Sequence, residues 1–164
     1  MIWIIKPFVG LGPISFSMTP EKVAALAELG PVTARDTVEG GYVNEFRGID
    51  IPNLTYLDAT LIAIGASRRV KDVVWNNIDV FASKPIDVLQ ALERANNGAS
   101  QIFGSVVFEK FGLQLSGFYM FERSEAYDPA SDEQDDRGLA VVDRAAQDRN
   151  LREMAQHISR VTFF

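Results

Sequence analysis

The chain has no cysteine, and that absence removes disulfide stapling, thiol catalysis and thiolate metal sites together. Histidine is almost missing too, since His157 is the only one. A zinc or iron centre built on several imidazoles is therefore excluded within one chain. His157 lies beside Met154 and Ile158 in an apolar-periodic stretch, where a structural or solvent-facing role outweighs a catalytic one. No serine occupies the G-x-S-x-G setting of a nucleophile elbow. Long hydrophobic runs are missing as well: nothing approaches the ~20 apolar residues that span a bilayer. The apolar opening at residues 2–5 is too short for a signal-peptide core, and Lys6 follows it instead of leading it. The expected compartment is the cytoplasm, with no membrane association.

Positive charge is the next shortage. Sixteen Lys and Arg face 22 Asp and Glu, a net charge of -6. Arg68, Arg69 and Lys71 make the only compact basic patch, and Asp72 follows it at once. A nucleic-acid binder spreads positive charge over a whole face, so nucleic acid is not an expected partner. Phosphate loops fail on spacing. Gly10-Leu11-Gly12 offers G-x-G, but Pro13 follows and Ser15 stands where the dinucleotide fingerprint needs glycine. The acids at 128–136 do not meet the twelve-residue calcium-loop template. Neither a cofactor nor a bound metal is expected. Asp36, Glu39, Glu45, Asp50, Asp58 and Glu109 could supply an acid–base pair, but such chemistry depends on a separation in space that spacing along the chain does not give.

What is present is an ordinary globular composition, 47% apolar and 23% charged. At 164 residues the length favours one domain. The spacing predicts a helix after Thr19, with Pro20 at its first position, Val23, Leu26 and Ala27 on one face, and Gly30-Pro31 as the stop. A second helix is predicted over 84–96, capped by Ser83, with Ile86, Val88, Leu89 and Leu92 turned inward. A third is predicted over 146–159, with Leu151, Met154, Ala155 and Ile158 on one face.

Strands are expected at 42–46, 100–109, 113–121 and 139–142, and residues 2–5 read as a strand buried on both faces. Two hairpins are predicted: 60–64 with 70–75, and 100–109 with 113–121 about Phe111-Gly112. The β-prone tail Val161–Phe164 should pair at a sheet edge or pack beneath a helix. These elements predict an α+β domain over residues 1–164, a largely antiparallel sheet carrying about three helices. Two helices of similar length, each followed by strands, hint at a duplicated helix-plus-meander unit, though the side chains match too poorly to assert a repeat.

The acids are unevenly placed. Glu122, Glu125, Asp128, Asp132, Glu133, Asp135 and Asp136 fall between Phe121 and Arg137, opposed there by Arg123 and Arg137 alone. Seven acids less two arginines leave -5 of the net -6 in this segment. Such a field attracts a basic partner. Two readings stay open: a solvated loop that serves solubility, and a recognition surface in which Tyr127 is the apolar anchor.

The segment Gly10-Leu11-Gly12-Pro13-Ile14-Ser15-Phe16-Ser17-Met18-Thr19 resembles the opening of a broad set of small bacterial proteins, patterned G-[IL]-G-P-[IL]-x-F-x-M-[ST] before a helix. Ser17 replaces the usual glycine ahead of the methionine. A second echo runs from Asn77-Ile78-Asp79-Val80-Phe81 into Pro85-Ile86-Asp87-Val88-Leu89. Several members of that set are immunity proteins of polymorphic-toxin or contact-dependent inhibition systems. The resemblance implies a non-enzymatic protein that binds and neutralises a cognate toxin domain. The alternatives are another protein-binding or structural domain, or a metal-independent enzyme.

Overall fold

The computed structural model describes residues 1–164. Strand β1 (Trp3–Lys6) leads into the short strands β2 (Gly10–Leu11) and β3 (Ile14–Ser15). Helix α1 (Pro20–Ala24) and a 3-10 turn at Ala27–Leu29 precede four strands, β4 (Ala34–Val38), β5 (Tyr42–Phe46), β6 (Asn53–Leu57) and β7 (Thr60–Ser67). A similar order follows: β8 (Val73–Trp75), β9 (Ile78–Asp79), helix α2 (Pro85–Asn96), then β10 (Ala99–Ile102), β11 (Ser105–Phe108) and β12 (Leu113–Ser116). A small hairpin, β13 (Tyr119–Met120) with β14 (Glu125–Ala126), opens the acidic segment. Strand β15 (Gly138–Val142), helix α3 (Arg144–Glu153) and the closing strand β16 (Ile158–Val161) complete the chain.

The large sheet holds nine strands in the order β16-β10-β11-β12-β15-β7-β6-β5-β4, all antiparallel. A second sheet runs β3-β2-β1-β8-β9, with β1 and β8 parallel. This is the α+β architecture the sequence predicts, a largely antiparallel sheet with three helices. Two meanders meet at the β7–β15 pair, each preceded by a helix that opens on a proline, Pro20 or Pro85. The helices themselves differ, five residues against twelve.

Register places one apolar row across five strands. Leu54, Ile64, Val141, Leu113 and Phe108 are successive cross-strand partners, and none is exposed. This row joins Leu89 and Leu92 of α2 and Trp3 and Val73 of the small sheet in one core cluster. At ~25 cal/mol per Å², such cross-strand burial stabilises the sheet more than any surface ion pair in the molecule. A bulge shapes the opposite end of β7. Thr55 pairs with Ala63 and Tyr56 with Leu61, so Ile62 is left over. Its freed carbonyl accepts from the Asp143 backbone N–H at 3.0 Å, and the Asp143 side chain then caps α3 through the Ala146 N–H at 2.7 Å.

Several expectations are corrected. Strand β1 is central in its sheet but alternates: Trp3 and Ile5 are buried, whereas Ile2 and Ile4 are exposed. The 60–75 hairpin does not form. Asp58 and Ala59, both at positive φ, turn β6 back onto β7, while Val73 pairs with Trp3 in the other sheet. The 100–109 strand folds on itself at Phe103-Gly104 into β10 and β11, and the pairing about Phe111-Gly112 is β11 with β12. Lys84, not Ser83, occupies the cap of α2, without a side-chain hydrogen bond. Helix α3 starts earlier and stops at Glu153, so Ile158 belongs to a strand. His157 is exposed against the Phe103 ring at 4.9 Å. Of the tail, Val161 pairs with Ala99 at the sheet edge and Phe163 is buried, as predicted, whereas Phe164 stays exposed.

Beneath the short α1 segment the core turns polar. Glu45 accepts from Arg35 at 2.6 Å and from the buried Arg47 at 3.3 Å, and Arg47 also donates to the Gly30 carbonyl. The Tyr56 hydroxyl, beside them, has no hydrogen-bond partner in the protein. Burial, reinforced by the Glu45 carboxylate, pushes its pKa up to about 12. A folded-state pKa above the unfolded value of 10.0 means stability is intact below pH 10 and is lost as pH rises toward 12. Tyr56→Phe is expected to change stability by less than about 1 kcal/mol at pH 7, because no bond is removed. It should also flatten the fall between pH 10 and 12 in urea titrations. A wild-type-like alkaline limb in the variant would contradict this assignment.

Candidate functional site

The acidic segment is built as a series of local turns. Tyr127 N–H donates to the Phe118 carbonyl at 2.9 Å, which returns the chain from the β13–β14 hairpin to the core. Asp128 then organises its own turn: a carboxylate oxygen accepts from the Ala130 N–H at 2.9 Å, and its carbonyl accepts from the Ser131 hydroxyl at 2.7 Å. Tyr127 is only 5% exposed, and its hydroxyl donates to the Glu133 carbonyl at 3.2 Å. The residue expected to anchor a partner is therefore spent inside the fold. Its hydroxyl spans the loop from Tyr127 to Glu133.

Arg137 closes the segment. It is 5% exposed, and its Nε and Nη2 each donate to Asp135 at 2.9 Å. Nη1 donates to the Phe81 carbonyl at 3.1 Å, and the guanidinium lies 5.5 Å from the Phe118 ring and 5.4 Å from the Tyr127 ring. Arg68 adds a second tie, with Nε donating to the Asp135 carbonyl at 2.6 Å. The Arg137 hydrogen bonds hold the Asp135 carboxyl below its ordinary value of 3.8. At the other end Arg123 pairs with Glu133 and lies 3.6 Å from Glu125.

The seven acids thus divide. Asp135 is committed to Arg137, while Glu133 and Glu125 both lie against Arg123. Glu122, Asp132 and Asp136 are exposed with no ion pair, while Asp128 is exposed and bonded only within its turn. Counting Arg68 with Arg123 and Arg137, seven acids less three cations leave a local surplus of -4. Sequence reasoning missed Arg68 and underrated Arg137. The available signal was Arg137 standing directly before the strand Gly138–Val142 and two residues after Asp135, a spacing that puts both at the mouth of the sheet.

Two hollows flank the loop. On the outer face of the large sheet, Asp136 and Arg137 border a shallow trough of about 380 Å³ floored by Gly65, Gly138 and Ala140. The Arg137 charge is already paired with Asp135, so the trough gains no free cation from it. On the other side, residues 126–130 face the start of α2 across a cleft of about 460 Å³. No group of three or more Asp, Glu or His side chains is placed to hold a metal ion, and no helix is long and apolar enough to cross a membrane.

No protein-family model, curated protein or solved structure matches the chain.

Proposed function

We propose that this chain is a non-enzymatic, immunity-type binding protein that neutralises a basic toxin domain through its acidic loop. One observation carries the reading: the loop is organised before any partner arrives. Tyr127, Arg68 and Arg137 fix its backbone to the core, while Glu122, Asp132 and Asp136 stay solvent-facing and unpaired. A solubilising loop needs charge but no such fixing. A recognition loop gains from it, because ordering costs are met on folding and not on binding. The unpaired carboxylates would steer a basic partner and set the salt dependence of encounter. The resemblance at Gly10–Thr19 supports the same reading.

The experiment is a protection assay. The product of the gene directly upstream is expressed in a susceptible bacterium with and without this chain. Growth arrest by the upstream product alone, relieved by co-expression, is the expected result. Arrest that co-expression leaves unchanged would count against the proposal.

A further inference from the structure

The cleft between residues 126–130 and the start of α2 has a composition that selects its occupant. Pro85, Ile86, Ala126, Pro129 and Ala130 line it together with the ring of Tyr127. Pro85 has no N–H to offer, and the Tyr127 hydroxyl is committed to the Glu133 carbonyl. The interior of the cleft therefore presents apolar surface. Lys84 and Asp128 supply its only charged lining. Exposed Asp87 follows Ile86 directly, and exposed Glu125 directly precedes Ala126. Asp128 thus offsets the one lysine of the lining, Asp87 adds a second carboxylate one residue beyond Ile86 on the helix, and Glu125 already lies 3.6 Å from Arg123. An anion would find the start of α2 guarded by like charge. An apolar group with a cation beside it would find both halves of its chemistry matched.

We propose that this cleft receives one apolar side chain of the partner, of leucine or phenylalanine size, from a segment carrying Lys or Arg next to it. The inference rests on the partner-binding reading and deepens it: the cleft replaces Tyr127 as the place where an anchor is buried. Water held against Pro85, Ile86 and Pro129 is released when the anchor enters. The flanking cation meets Asp128 at the rim, or Asp87 beside it on the helix. Apolar anchors in such pockets dominate residence time, whereas rim charges dominate encounter.

The test uses the full chain and three synthetic peptides, followed by methyl NMR at up to millimolar concentration. One peptide is Lys-Lys-Leu-Lys-Lys, the second replaces its leucine with serine, and the third is Glu-Glu-Leu-Glu-Glu. The leucine–lysine peptide should shift the methyls of Ile86, Ala126 and Ala130 and bind about tenfold more tightly than the serine peptide. Ala130→Phe, a change at an exposed loop position that fills the cleft, should abolish the advantage of leucine. Asp132→Asn with Asp136→Asn should weaken both lysine peptides equally and keep that advantage. If the leucine and serine peptides bind alike and Ala130→Phe changes nothing, the cleft is not an anchor site, while the acidic surface still binds a basic chain. If no peptide perturbs the cleft, the inference alone is overturned; if the glutamate peptide binds best, the basic-partner chemistry falls with it.

Discussion

Arg137→Met is expected to lower the unfolding free energy by about 3 kcal/mol or more. The arginine is 5% exposed and engages Asp135 twice, the Phe81 carbonyl once and two aromatic rings. Methionine keeps the volume but leaves the Asp135 carboxylate without its main partner in a largely enclosed position. Adding Asp135→Asn should therefore recover part of the loss, because the uncompensated charge disappears. The acid limb should change as well. The folded-state pKa of Asp135 is depressed, so its contribution is present above the unfolded value of 3.8 and is lost as pH falls below it. The single variant should show a shallower loss on that limb in urea denaturation. Hydrogen exchange should report loosening concentrated at residues 128–136. Full protection of that segment in a destabilised variant would show that Arg137 supports the core without holding the loop.

Gly10→Ala is expected to prevent folding at 25 °C, a loss of more than about 4 kcal/mol. A Cβ at this position would stand 1.8 Å from the Ile14 carbonyl oxygen, and Gly10 is itself paired in the ladder with Ser15 and Lys6. Neither neighbour is a flexible side-chain end, so the turn cannot open without breaking β2 and β3 from β1. The buried Leu11 and Ile14 would leave the core with it. Gly104→Ala is the control, since a Cβ there meets nothing within 4 Å. Circular dichroism and thermal melts of the two variants decide the matter. A folded Gly10→Ala with a melting temperature near wild type would contradict the close approach.

The glycine–proline turn was legible because its chemistry is local: Gly10, Gly12 and Pro13 admit few backbones, and Thr19-Pro20 announces a helix start. The core faces of α2 and of strand β12 were legible through their periodicity. Partners were not. Period two says that Val73 and Trp75 share a face, but not that Trp3, seventy residues earlier, lies beside them. The β6–β7 turn was missed because it contains neither glycine nor proline: the chain reverses at Asp58-Ala59, both at positive φ. In the acidic segment, composition placed the charge correctly but not its division. Whether an acid is spent on an arginine or left to solvent depends on Arg68, sixty-seven residues from Asp135. Tyr127 was misjudged for the same reason, since only the fold decides that its ring faces Arg137 and not a partner.

The proposed function requires that a loop fixed before binding offer Glu122, Asp132 and Asp136 to a basic partner. Its most direct measurement is association kinetics of the isolated partner with wild type and with Glu122→Gln/Asp132→Asn/Asp136→Asn, across a salt series. Those three changes leave the Arg137–Asp135 and Arg123–Glu133 pairs in place. Association is expected to be about tenfold slower for the variant at low salt, with the two rates converging at ~1 M salt, where the screening length is near 3 Å. Equal association rates at low salt would contradict it and return the acidic segment to solubilising surface.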